Sequence, residues 1–303
     1  MADKTSETAS PFGNKPLLLG FGEAAQAFVS GWSGSGITGF AAYDVKTAAS
    51  PAERDGKLAD YQRHGVVGYG RLDEAVRGAQ VVFSLVTADR ALEAAASVSE
   101  HIGSSVLYLD CNSCAPRTKQ KAAEIIERQD AVYVDVAVMA PVHPQLHRTP
   151  LIVSGADAEA AAGTLQQAGM NTTIAGLSVG QASAIKLCRS IMVKGMEALM
   201  AECLLSARSL GVEEAVLSSL EASDPGCAWR SRAEYAFSRM AVHGERRAAE
   251  MFEAASMVAD LSIAPRMSEA TAQWQRQIGG LRSNEAETDF PDHLDELIKL
   301  ISK

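Results

Sequence analysis

From Lys15 to about Gly176, short apolar runs alternate with Ala- and Leu-rich stretches, and beyond Gly180 such runs cease. The runs that read as strands are Leu17–Gly20, Gly39–Tyr43, Val81–Val86, Ser105–Asp110, Ala131–Val138, Leu151–Ser154 and Thr172–Ala175. Helical patterns fall between them near Ala52–His64, Leu72–Val76, Arg90–Ser99, Pro116–Gln129 and Ala158–Ala168. Strands joined through helices require right-handed crossovers, so this half predicts a largely parallel sheet covered on both faces. Past Gly180 the pattern is helical throughout. Gln181–Leu210 is one long stretch ended by Gly211, a residue suited to the position after a helix. Val212–Leu220, Ala228–Met240, Glu245–Ala259, Arg266–Gln277 and His293–Ile301 follow, with Pro291 in a first-turn position.

The first strand leads into Gly20-Phe21-Gly22-Glu23-Ala24-Ala25, and an apolar helical stretch continues to Trp32. This is the strand–turn–helix setting in which G-x-G-x-x-G/A binds a dinucleotide. The first Gly allows the tight turn, and the second lets a pyrophosphate approach the backbone. A small residue at Ala25 lets helix and strand pack closely, and the helix N-terminus offers its N–H groups to the phosphates. The second strand ends at Asp44, where a carboxylate would hydrogen-bond the adenosine ribose. Asp44 favours NAD; Lys46 beside it leaves NADP open. In such sheets ligands bind beyond the carboxyl ends of the strands, an edge that also holds Val86-Thr87-Ala88 and Asp110-Cys111-Asn112-Ser113. The expected fold class is therefore α/β, a Rossmann-type doubly wound parallel sheet followed by an all-helical C-terminal domain. Its expected divisions are a disordered lead-in at 1–13, a dinucleotide-binding domain at 14–178, and a helical domain at 179–303. The long helix joining the two predicts a cleft for substrate.

The 303 residues carry a formal net charge of −9, which argues against a nucleic-acid partner because phosphate binding needs a basic face. No apolar run approaches the length of a membrane span, and the polar N-terminus has no signal-peptide core. Five cysteines, an odd number in a long chain, point to a reducing cytosol. Cys111 and Cys114 form a C-x-x-C, but the further ligands of a zinc site are missing nearby, so no metal is expected.

Lys186 is the sharpest candidate for chemistry. It stands early in the long helix among small and apolar residues, with Ser190 one turn later and Lys194 a turn beyond. A lysine desolvated in a cleft can exchange a proton near neutral pH; the alternative is a surface lysine on an amphipathic helix. Asn112 and Ser113 read either as donors to substrate or nicotinamide or as plain turn residues. His143, His147 and Arg148 lie in a Pro-rich loop, where contact with an anion, or metal ligation by the two histidines, competes with simple solvation, which the spacing around Pro144 favours over ligation. Arg246 and Arg247, after His243, could meet a carboxylate substrate or form ion pairs with Glu245 and Glu250. Trp229 and Arg230 could line a cleft or a dimer interface.

The whole chain resembles the β-hydroxyacid dehydrogenase superfamily, which includes 6-phosphogluconate and 3-hydroxyisobutyrate dehydrogenases. Four segments carry the resemblance in order. They are the Gly20–Ala25 turn; Asp110-Cys111-Asn112-Ser113-Cys114-Ala115-Pro116, similar to D-x-S-T-x-x-P; Val134-Asp135-Val136-Ala137-Val138-Met139, similar to D-A-P-V-S-G; and Gly180 to Ser190, similar to G-x-x-x-x-x-K-x-x-x-N. Lys194–Leu199 and His243–Met251 resemble a branch with a compact helical DUF1932 domain.

The resemblance implies Lys186 as general acid/base with Ser190 as its companion. It also implies a cofactor site at Gly20, Phe21, Gly22, Glu23, Ala24, Ala25, Asp44, Val86, Thr87 and Asn112. The implied contacts to a small anionic or hydroxylated substrate are Asn112, Ser113, Met139, Lys186, Ser190, His243 and Arg246. A homodimer through the helical domain is implied too. The chain departs from its relatives at Met139-Ala140-Pro141, where most have Ser-Gly-Gly, and at Ser190, where they have Asn. The expected activity is NAD(P)-dependent hydride transfer to or from a β-hydroxyacid or sugar acid. The alternatives are an imine or ketoacid reductase on the same scaffold, or a non-catalytic dinucleotide-binding protein.

Overall fold

The computed structural model describes residues 10–281 and 289–301. Of the expected lead-in, residues 1–9 lie outside this range, while Phe12 is buried with its ring edge-on to Trp32 and Phe83. The chain forms two compact units, Met1–Lys186 and Leu187–Lys303.

The first unit is an eight-stranded sheet in the order β3-β2-β1-β4-β5-β6-β7-β8. The strands are β1 (Leu17–Leu19), β2 (Ala41–Tyr43), β3 (Val67–Tyr69), β4 (Val81–Ser84), β5 (Leu107–Asp110), β6 (Val132–Val138), β7 (Leu151–Ser154) and β8 (Thr172–Gly176). Every pair is parallel except β6 with β7. The helices are α1 (Glu23–Gly34), α2 (Pro51–His64), α3 (Leu72–Val76), α4 (Ala91–Ser99), α5 (Pro116–Glu127) and α6 (Ala158–Gln167). Alternation along the strands sends Leu18 into one core with Phe28, Trp32 and Leu165, and Leu17 and Leu19 into another with Val98 and Ile126. The sheet is thus covered on both faces, as parallel strands require.

The strand β3 was not anticipated. It has three residues, one of them Gly68, and Val67 is largely exposed. An edge strand this short and this open shows neither alternation nor an apolar run.

The helix α7 (Gln181–Ser209) gives its first residues, through Lys186, to the first unit and the remainder to the second. The second unit continues with α8 (Glu213–Ser223), α9 (Trp229–Asp260), α10 (Arg266–Gly280) and α11 (Phe290–Ile301). Its core gathers Leu204, Leu217, Phe237, Met240, Ile278 and Leu294. The expected helices Ala228–Met240 and Glu245–Ala259 are one helix. Gly244 does not interrupt α9; it lies buried against Gly279 of α10, so glycine here serves close approach of two helices.

Candidate active site

The strand order reverses between β1 and β4; of the predicted cofactor residues, Gly20 to Ala25 follow β1, Val86 and Thr87 follow β4, Asp44 follows β2 and Asn112 follows β5. Gly20 follows β1 with φ +83°, and a Cβ there would come within 2.7 Å of the Leu85 carbonyl oxygen. Only glycine suits both constraints. Gly22 precedes α1, carries no side-chain cap, and faces open space where its Cβ would be. The first-turn N–H groups of α1 therefore have no side-chain cap from Gly22, and Ala25 is fully buried beneath them. Glu23 is exposed and Ala24 half-buried. An uncapped helix N-terminus behind a Gly turn fits a pyrophosphate.

Phe21 does something other than face a ligand. Its ring is buried against Tyr61 and His64. Its N–H donates to Asp44 Oδ2 at 2.9 Å, and its carbonyl accepts from Lys57 Nζ at 2.7 Å and Gln26 Nε2 at 3.1 Å. Asp44 Oδ1 also accepts the Lys46 N–H at 3.0 Å. The carboxylate so placed at the end of β2 braces the Gly turn. Val86, half-buried, and Thr87, exposed, follow β4 on the same edge.

After β5 the chain enters a buried polar cluster. Lys119 of α5 has no exposed surface and donates from Nζ to the Asp110 carbonyl at 2.6 Å and to Asp110 Oδ1 at 2.9 Å. Asp135 Oδ1 of β6 lies 3.3 Å from the same nitrogen. Burial alone disfavours the Lys119 cation, but the two carboxylates overcome it and hold its pKa above that of a free lysine. Tyr133 donates its hydroxyl to Asp110 Oδ2 at 2.6 Å. Burial, reinforced by Asp110, raises the Tyr133 pKa, so the phenol stays protonated.

Asp135 also receives the start of α7. Its Oδ2 accepts the N–H of Gly180 at 3.1 Å and of Ser183 at 3.0 Å, and its Oδ1 accepts the Ser183 hydroxyl at 2.6 Å. Ser154 Oγ accepts the Ala182 N–H at 3.0 Å. A carboxylate at a helix N-terminus satisfies N–H groups that the helix itself leaves unpaired. Held in this way, half-buried Lys186 donates from Nζ to Ser113 Oγ. The structure brings these two predicted residues together.

Asn112 is buried and bonded to the last residues of β4 and β5. It is 3% exposed, its Nδ2 donates to Ser84 Oγ at 2.9 Å and Asp110 Oδ1 at 2.7 Å, and its Oδ1 is buried without a partner among the described residues. Cys111 and Cys114 are buried thiols. Burial pushes the Cys111 pKa up to about 12, which removes it as a nucleophile at neutral pH.

In the second unit Ser190 is buried, and Lys194 Nζ lies 3.4 Å from its Oγ and 2.6 Å from Glu250 Oε2. Burial lowers the Lys194 pKa against the pull of Glu250. Arg247 is buried too. It bonds Glu197 of α7 through Nη2 and Gln275 Oε1 of α10 through Nε at 3.1 Å, and Gln275 closes the ring to Glu197 at 2.8 Å. Its partner is thus on another helix, not Glu245 or Glu250 of its own, and it ties three helices together. Arg246 is exposed and His243 half-buried on α9. Trp229 is partly buried against the core of this unit, and Arg230 pairs with Glu214.

Met139, half-buried, follows β6 and donates its N–H to the Pro150 carbonyl at 2.9 Å. His143 is exposed. His147 is not solvated: it is 4% exposed, packed over Gly31 and near Trp32.

Sequence reasoning missed Lys119, Asp135 as a cap, and Lys57. One signal for Asp135 was present, a lone charge inside the apolar run Val132–Val138. The lysines carry no such mark, because both sit in helices rich in charge.

Residues 41–176 match the family model of the NAD binding domain of 6-phosphogluconate dehydrogenase, and residues 207–278 match the domain of unknown function DUF1932. A conserved hypothetical protein from Sinorhizobium meliloti 1021 is 33% identical, with 95% of this chain and 96% of that one covered and a TM-score of 0.74. The conserved protein MTH1747, of unknown function and described as similar in structure to 3-hydroxyacid dehydrogenases, is 31% identical. That match covers 88% of this chain and 98% of the other, with a TM-score of 0.67. Mycobacterium tuberculosis 3-hydroxyisobutyrate dehydrogenase, solved with L-serine, shares the fold at 17% identity, with 94% and 99% of the two chains covered and a TM-score of 0.69.

Proposed function

Because the chain belongs to the β-hydroxyacid dehydrogenase superfamily, in the branch with a DUF1932 domain, and its first unit is an NAD(P)-binding domain, we propose that it oxidises a small β-hydroxyacid or sugar-acid-like substrate, or reduces the corresponding ketone. The observation that carries this reading is the hydrogen bond from Lys186 to Ser113, which follows β5, two strands from the Gly-rich turn in the same sheet. When bound, the nicotinamide supplies a hydride acceptor or donor. The protein must then manage the hydroxyl proton.

An ammonium group only donates, so Lys186 must be neutral to take that proton and becomes charged as it does. In the reverse direction it returns the proton to the ketone oxygen. Ser113 Oγ holds Nζ at the strand edge, which removes a rotamer search from the reacting geometry. Ser190, one turn further along α7, fixes the substrate or the lysine. Asp44 favours NAD, since a 2′-phosphate would meet its carboxylate. The five free thiols suit a reducing compartment, the cytosol in this reading. Among the described residues no helix is long and apolar enough to cross a membrane. A homodimer through the second unit is part of the same proposal.

The test is a paired assay of wild type and Lys186→Ala on 3-hydroxyacids, sugar acids and their phosphates, with NAD and with NADP. The expected result is turnover reduced more than ~100-fold in the variant with NADH affinity retained. Equal rates in the two proteins would remove Lys186 from the mechanism.

A further inference from the structure

The proton chemistry above uses Lys186 and Ser113 and leaves out the cation buried beside the same loop. Lys119 has no exposed surface, and burying a lysine is unfavourable unless carboxylates surround it. An apolar residue would fill that place in α5 without such compensation. Its contacts run to the two segments that carry the site. Asp110, bound through both carbonyl and carboxylate, begins the loop that reaches Ser113. Asp135, 3.3 Å away, holds the N–H and hydroxyl of Ser183, one turn before Lys186.

We propose that Lys119 is a positioning residue for Lys186: by holding Asp110 and Asp135 together, it fixes the Ser113 loop and the first turn of α7 to each other so that Ser113 and Lys186 meet. The proposal rests on the acid/base reading of Lys186. Without the cation, two buried carboxylates share one pocket. They either move apart or one takes up a proton; separation frees the Ser113 loop from α7, a proton on Asp135 weakens its cap on α7, and a proton on Asp110 alters the start of the Ser113 loop.

The variant Lys119→Met keeps the stem and removes the charge. Ile126→Ala, a buried position on the same helix with no part in the cluster, serves as a control for lost stability alone. Each protein is reductively methylated with 13C, and the Lys186 resonance is assigned by its loss in Lys186→Arg. In Lys119→Met the resonance should move to the position of exposed lysines, with NADH affinity within about 3-fold of wild type. Where a substrate of the panel turns over, kcat should fall at least ~10-fold with KM changed less than about 3-fold. Ile126→Ala should lower the melting temperature and leave the Lys186 resonance in place. Lys119→Met behaving like Ile126→Ala would overturn the proposal.

If Lys119→Met does not fold, Asp135→Asn keeps a cap oxygen and removes the charge that Lys119 holds. The same displacement is expected, and an unmoved resonance counts against the idea. Turnover retained in Lys186→Ala would defeat the acid/base reading, while the resonance would still decide the positioning.

Discussion

At the scale of single residues, His293 of α11 shows how burial sets a response to pH. It is 5% exposed, its ring stands edge-on to Phe237, and neither ring nitrogen has a hydrogen-bond partner among the described residues. Burial lowers its pKa below 6.5, with Glu296 opposing. The folded protein therefore keeps the imidazole neutral where the unfolded chain has begun to bind a proton. Stability is unaffected well above pH 6.5, is lost as pH falls below the unfolded value, and stops falling once the folded pKa is passed. His293→Phe should make the loss of stability between about pH 7.5 and 5.5 smaller than in wild type. Urea midpoints of wild type and variant at about pH 7.5 and 5.5 would show it, and equal acid losses would mean that other groups are responsible. The same scale explains what could be read in advance. Lys186 and Ser113 were legible because a motif marks both. Lys119 was not, since a buried lysine and a solvated one look alike within Pro116-Arg117-Thr118-Lys119-Gln120-Lys121.

Among elements, the crossing of α9 and α10 is governed by one pair of glycines. A Cβ on Gly244 would lie 2.2 Å from the Gln275 carbonyl oxygen and 2.8 Å from the Gly279 Cα. Both are backbone atoms, so relief requires the helices to separate. Alanine in place of glycine gains about 1 kcal/mol in helix propensity. Overpacking a tight contact costs about 1–3 kcal/mol, and separation would also strain the Arg247–Gln275 bond, so the clash should win. Gly244→Ala is expected to lower the melting temperature of the protein. A Gly163→Ala control in α6, where a Cβ meets nothing within 4 Å, should leave it unchanged or raise it. A higher melting temperature for Gly244→Ala would refute the close contact. This pair also explains the misplaced break in α9. A glycine within a helical pattern signals either an end or a close neighbour, and the neighbour, Gly279, is distant in sequence. The parallel sheet was legible because its central strands are continuous apolar runs, and β3 escaped because it has no such run.

For the molecule as a whole, the open question is what covers the apolar residues left exposed in the second unit. Met192 and Leu199 lie a heptad apart on α7, and Tyr235 and Val242 a heptad apart on α9, all more than half exposed. Residues seven apart share one helix face, and an apolar face repeating in this way is suited to packing against another helix. A second copy of the chain supplies such helices, which supports the proposed homodimer. A net charge of −9 opposes association at long range, although physiological salt screens much of that repulsion. Apolar burial, at about 25 cal/mol per Å², should then dominate at contact. Sedimentation equilibrium at micromolar concentration is expected to give twice the 32.0 kDa chain mass. Leu199→Glu and Val242→Glu, which place charge on each face without touching the core, should shift the protein towards monomer. A wild type that stays at 32.0 kDa under these conditions would rule out the dimer. A dimer that persists in both variants would move its interface away from these two faces.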